Sequence, residues 1–190
     1  MQFAICELQI YSYLYFMKQH NGMRPHDILI LLKIISMRNN PWLYKDLASD
    51  LYISPSEISE SLNRSQLAGL IDPGKRKVQR GPLLDFLIHG LKYVYPAVPG
   101  PIQKGIPTAH SAPVMDKQFH SNENYVWPYE KGEVRGQSIQ PFYATVPEAI
   151  QNDSALYDML ALCDTLRIGK TREINYAGQK LKELLNERPN

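Results

Sequence analysis

The chain has 190 residues, enough to bury a core as one domain or two small ones, and a formal net charge of +2. A balance so close to zero excludes a polyanion-binding signature spread over the whole molecule, so a nucleic-acid face has to come from local clustering. Two cysteines, Cys6 and Cys163, form neither a disulfide framework nor a metal spacing, and no apolar run approaches the roughly 18 residues of a membrane span, so a reducing cytoplasm is the expected compartment.

The first 22 residues, MQFAICELQIYSYLYFMKQHNG, are aromatic and apolar. Glu7 interrupts them and no basic segment precedes them, so a secretory signal is not expected. The alternatives are an additional helix packed on a partner, or an extension read from an upstream start with Met17 or Met23 as the true one. Arg24 to Arg38 reads as a first helix, with Pro25 and Asp27 in its opening turn and Ile28, Leu29, Leu31, Leu32, Ile34 and Ile35 around most of its circumference. Asn39, Asn40 and Pro41 break it. In YKDLASDLYISPSEISESLNR, residues 44–64, Leu47, Ala48 and Leu51 mark a second helix. Ser54 as cap, Pro55 at the first helical position and Glu57 three residues after the cap mark the start of a third. Ile58 and Leu62 give that helix an apolar face, which leaves Ser56, Ser59, Glu60, Asn63 and Arg64 to point outward.

Leu70 and Ile71 begin a strand, Asp72-Pro73-Gly74 turns it, and Lys75 to Arg80 is the basic return strand. Between Arg64 and Arg80 there are five cations (Arg64, Lys75, Arg76, Lys77, Arg80) and one acid (Asp72), a local charge of +4. Three helices followed by a basic β-hairpin is the order of a winged helix-turn-helix. In that fold the third helix enters the major groove and the hairpin cations meet phosphates. Gly81-Pro82 opens a fourth helix whose Leu83, Leu84, Phe86, Leu87, Leu91 and Val94 exceed the needs of a small core, which suggests a dimer seam or a cover over the N-terminal helix.

After Tyr95 the chain turns rich in Pro and Gly and reads as extended loop to residue 147, with persistent aromatics such as Trp127 and Phe142. A helical hairpin closes it. Asp153 caps the first helix, with Leu156, Met159, Leu160, Cys163 and Leu166 on one face, and Gly169 ends it. Thr171 caps the second, which carries Ile174, Ala177, Leu181 and Leu184. IGKT at 168–171 lacks the P-loop glycine, because Asp164 stands there and a helix, not a strand, precedes it. The histidines (His20, His26, His89, His110, His120) show no metal spacing. His110 beside Ser111 reads as a packing residue or a loop-anchoring hydrogen bond rather than a catalytic pair, and Glu130, Glu133 and Arg135 as a solvated turn.

RPHDILILLKI, YKDLASDLYISPSEISESLNRSQLAGLID and KRKVQR, within residues 24–95, resemble the MarR-like winged helix-turn-helix transcriptional regulators of bacteria. GIPTAHSAP, VWPYEKGEVRG and ALCDTLRIGKTRE resemble the tail of a poorly characterised bacterial group carrying the same domain. The resemblance implies a homodimer on double-stranded DNA, with Ser54, Ser56, Ser59, Asn63 and Arg64 on the reading helix and Lys75, Arg76 and Lys77 on the wing. The sequence departs from the pattern at Leu43, where a capping Ser or Thr is usual, and at Tyr52, where Gly is usual. A third departure is Glu60, which has to read a cytosine amino group or oppose phosphate.

The expectation is a mainly α protein with a small β-hairpin. It comprises an apolar extension (1–22), a winged helix-turn-helix domain (23–95), a Pro/Gly-rich extended segment (96–147) and a helical hairpin (148–190). Its function is sequence-specific DNA binding in transcription regulation, with helix 54–69 in the groove and wing 72–80 on phosphates. The DNA-binding set is Ser54, Ser56, Ser59, Glu60, Asn63, Arg64, Lys75, Arg76, Lys77 and Arg80. No catalysis, cofactor, metal or membrane is expected. The alternative is a non-catalytic adaptor whose winged helix docks a partner protein.

Overall fold

The computed structural model describes residues 22–38, 40–115, 119 and 123–186. Expectations that fall on residues 1–21, on Asn39 and on His120 lie outside these. Among the described residues the fold is mixed but mainly helical, with one small sheet. Helices α1 (Pro25–Ser36), α2 (Tyr44–Leu51) and α3 (Pro55–Leu67) come first. Then follow α4 (Arg80–His89), α5 (Leu91–Val94), the strands β1 (Ile102–Pro107), β2 (Tyr125–Pro128) and β3 (Val134–Ser138), and α6 (Val146–Ala149), α7 (Ser154–Ile168) and α8 (Thr171–Asn186). No helix among the described residues is long and apolar enough to cross a membrane.

Helix α1 is the central post. His26 to Ile35 are all buried, as an apolar circumference requires. Its one buried lysine, Lys33, lies 3.0 Å from Asp50 and 2.9 Å from Asp153. Burial works against the charged ammonium, but the two carboxylates together outweigh it and raise its pKa. Asp153 also caps α7 by accepting from the Leu156 N–H at 2.9 Å. One side chain therefore starts α7 and ties it to α1.

The caps explain where α2 and α3 begin. Leu43 has no capping oxygen, and what remains of the box is its other half, Asp46 accepting the Leu43 N–H at 2.8 Å. Tyr52 closes α2 in the left-handed region, at φ +54°, so the turn forms without its usual glycine. Ser54 caps α3 through the Glu57 N–H at 3.2 Å, as expected. The reciprocal half of that box is missing, because the Glu57 side chain turns to His26 and Arg64 instead.

The β structure corrects the expectation in two ways. The return strand at 75–80 does not form a ladder. One antiparallel bridge, Ile71 to Val78, is all the pairing there, with Asp72 accepting the Arg76 and Lys77 N–H groups inside the loop. The sheet arises instead within 96–147, which read as loop. β1 runs antiparallel to both β2 (Ile106 opposite Trp127) and β3 (Lys104 opposite Arg135). β2 and β3 pair in parallel at Tyr125–Gln137 and Val126–Ser138, so the three strands close on one another. A Cβ at Gly105 would run into the Trp127 carbonyl, and one at Gly136 into the Asn124 carbonyl. Those glycines serve close strand approach.

The sheet is held to α7 by a buried carboxylate. Asp164 accepts from Trp127 Nε1 (2.6 Å), Thr108 Oγ1 (2.8 Å) and Arg167 (2.7 Å). Arg167 also donates to the Tyr95 carbonyl at 2.8 Å and lies over the Phe142 ring. The Tyr157 hydroxyl donates to the Pro107 carbonyl at 2.7 Å. His110 Nε2 sits 2.9 Å from the Glu123 carbonyl, the loop anchor expected of it, and Glu130, Glu133 and Arg135 are exposed.

One cluster of buried residues runs from α1 through α4 to α7 and α8. The greasy face of α4 is covered in part by the chain's own α8, where Gly178 faces Ile88. The expected face of α7 is buried, and so are Ala161, Leu162, Asp164 and Thr165, because the helix is enclosed on more than one side. At α8, Thr171 is the first helical residue rather than the cap before it, and Glu173 accepts the Lys170 N–H at 2.7 Å, as the third-position acid of a capping box does.

Candidate nucleic-acid interface

The outer stripe of α3 follows from its inner one. Ile58, Ser61, Leu62 and Ser65 are buried at helical spacing. Ser56, Glu60, Asn63 and Leu67 are therefore turned outward, and all are exposed. Ser54 is exposed with its hydroxyl engaged in the cap, and Ser59 is half-buried at the edge.

Arg64 does not point outward. It is 7% exposed and sits on Asp27, which is fully buried in α1. Arg64 Nε lies 2.9 Å and its NH2 2.7 Å from the two Asp27 oxygens, and NH2 also lies 2.7 Å from Glu57. This fork-to-carboxylate geometry, with Asp27's hydrogen bond foremost, holds the guanidinium charged well above its ordinary range. His26 Nε2 faces both Glu57 (2.8 Å) and Arg64 (3.0 Å), and Tyr143 meets the His26 ring edge-on. The sequence did carry a signal for this: Glu57 and Arg64 are seven apart and share a helix side. Their common partner, Asp27, is 37 residues upstream of Arg64, beyond any local pattern.

Burial alone would raise the Glu57 carboxyl, but Arg64 and His26 outweigh it and hold its pKa below the ordinary 4.5. A depressed carboxylate contributes stability that is present above the unfolded value and is lost as pH falls through the folded one. Thermal melts taken between pH 6 and about 3 should therefore lose stability in wild type faster than in Glu57→Gln. Parallel curves would show that Glu57 contributes nothing to the acid limb.

The four loop cations differ. Lys75, at φ +54°, is half-buried and its ammonium donates to Asn63 Oδ1, so it lies on the outer stripe of α3. Arg76 is folded back. Its guanidinium covers Trp42 at 4.9 Å and Tyr44 at 5.8 Å and donates to the Trp42 carbonyl at 2.9 Å. Lys77 is exposed. Arg80 is half-buried and donates to the Leu185 carbonyl at 2.6 Å. The N–H groups of Lys77 first, then of Arg76, hold the Asp72 carboxyl below its usual range and keep the loop tight. The Trp42–Tyr44 platform was not anticipated. Its aromatic pair is visible in PWLY, but the cation it carries is 34 residues away.

The ten expected residues thus separate. Ser54, Ser56, Ser59, Glu60, Asn63 and Lys75 lie along the outer side of α3, and Lys77 is exposed in the loop that follows it. Arg64 belongs to the core, and Arg76 and Arg80 are engaged on other elements. Among the described residues no group of His, Cys, Asp and Glu could hold a metal ion. No protein-family model, curated protein or solved structure matches this chain.

Proposed function

We propose that the chain is a DNA-binding regulator of the winged-helix kind, with α3 in the major groove and Lys75 and Lys77 on the flanking phosphates. The observation that carries the reading is the contact of the Lys75 ammonium with Asn63. It sets a loop cation against the polar outer stripe of a capped helix that follows a tight interhelical turn. The resemblance of residues 24–95 to MarR-like regulators points the same way. Asn63 has the amide that suits adenine, and Glu60 the carboxylate that suits a cytosine amino group.

Fluorescence anisotropy tests this, using a duplex from the gene's own upstream region and an unrelated duplex of equal length. Selective binding is expected, with Lys75→Ala/Lys77→Ala weakening both and flattening the salt slope by about 2. Absence of binding to either duplex at low salt overturns it.

A second reading is a protein-docking adaptor. Tyr52 is 63% and Leu67 70% exposed at the two ends of α3, with the acidic Glu60 between them. Large exposed apolar side chains around a helix suit a protein partner better than a phosphate backbone. That reading predicts co-purification with a partner that Leu67→Glu abolishes.

A further inference from the structure

The C-terminal end of α1, the segment 40–43 and residues 76–80 line a cavity of about 620 Å³. That is the size of small-molecule sites. Its apolar wall includes Ile35, Trp42 and Val78, all buried. Four cations line it, Arg38, Arg76, Lys77 and Arg80, and none of the lining residues is acidic. The α1 C-terminus favours a cation at Arg38 in any case, and Arg80 is held on the Leu185 carbonyl, which leaves Arg76 and Lys77 to be accounted for. Arg76 is presented rigidly, because Trp42, Tyr44 and the Trp42 carbonyl fix its plane while using one of its NH2 groups. Lys77 is placed by the hydrogen bond of its N–H to Asp72 at 2.6 Å.

We propose that this cavity binds an organic phosphate: a phosphomonoester on a flat apolar body. The charge decides the class. A phosphomonoester carries roughly −1.5 to −2 at neutral pH and offers three acceptor oxygens to guanidinium forks. A monocarboxylate brings one charge and two acceptor oxygens to a wall that presents Arg38, Arg76 and Lys77, all three exposed. The apolar wall calls for the organic body, which inorganic phosphate lacks. The proposal does not depend on the DNA reading, but it shares Lys77 with it. Where that reading holds, the ligand competes with duplex for Lys77.

Phenyl phosphate is the probe, and the two indole N–H resonances of the full-length protein are the readout. Trp42 lines the cavity, whereas Trp127 is tied to Asp164 elsewhere and serves as an internal reference. The expected result is a saturable shift of the Trp42 resonance alone. Inorganic phosphate and benzyl alcohol should each bind at least about tenfold more weakly, as should phenyl phosphate to Arg38→Ala/Lys77→Ala, with the melting temperature retained. Three results overturn the proposal: no Trp42 shift up to about 10 mM probe, inorganic phosphate binding as well as phenyl phosphate, or undiminished binding by the double variant. The second would mark a cationic surface without a ligand site.

Discussion

Arg64→Ala should cost about 3–5 kcal/mol of stability, because it leaves the fully buried Asp27 carboxylate without its counter-ion. Chemical denaturation followed by circular dichroism measures this directly. The companion Asp27→Leu/Arg64→Met should recover most of the loss, since a buried pair replaced by apolar groups of similar size leaves no orphaned charge. The experiment also separates two roles that a contact map of a DNA complex would confuse. A groove contact would lower affinity with an unchanged denaturation midpoint. A core strut lowers the midpoint, and affinity falls only as far as folding does. An Arg64→Ala protein as stable as wild type but unable to bind duplex would return Arg64 to the interface and refute its role in the core.

The second large effect is expected at Asp164. Alanine there removes the acceptor shared by Trp127, Thr108 and Arg167, all at 2.6–2.8 Å. Stranding a buried guanidinium and two further donors should cost about 3–5 kcal/mol. The damage should concentrate where the sheet meets α7. Trp127 is fully buried in wild type and packs edge-on against Tyr157, so its emission should move to the red as it gains water. An Asp164→Ala protein with wild-type emission and midpoint would show that apolar packing alone seats the sheet. Burial raises the Asp164 carboxyl above the usual carboxylate range even with these donors, a measure of how deep the group lies.

The two networks divide the molecule's polar interior. Asp27–Arg64 joins α1 to α3, and Asp164 joins α7 to the sheet, with Lys33–Asp153 between α1 and α7. The surface proposed to meet DNA therefore rests on a helix whose inner side is fixed by charge as well as by Ile58 and Leu62. That rigidity suits a reading helix, which must hold its side chains at set positions along a groove.

Local signals placed most helices well. The Ser54 and Asp153 caps, the Gly169 stop, and the apolar spacing of α1, α2, α3 and α7 were all legible, because each depends on residues within a turn or two of one another. The sheet was not legible. Its strands are short and carry Gly and Pro, and their pairing joins Ile102 to Gln137 across 35 positions. Nothing in a period-2 pattern reports glycines selected for backbone approach.

The candidate interface divides along the same line. Sequence alone determined that α3 would be capped, amphipathic and followed by a basic loop, since cap chemistry and charge density are local properties. Tertiary structure decided which cations the loop and helix present outward. Arg64 found a buried carboxylate on α1, Arg76 the Trp42–Tyr44 platform at the start of α2, and Arg80 a carbonyl at the end of α8, leaving Lys75 against the outer stripe and Lys77 exposed in the loop. A long cationic side chain goes where a distant partner offers a fork, a ring face or a lone pair, and those partners assemble only when the chain folds.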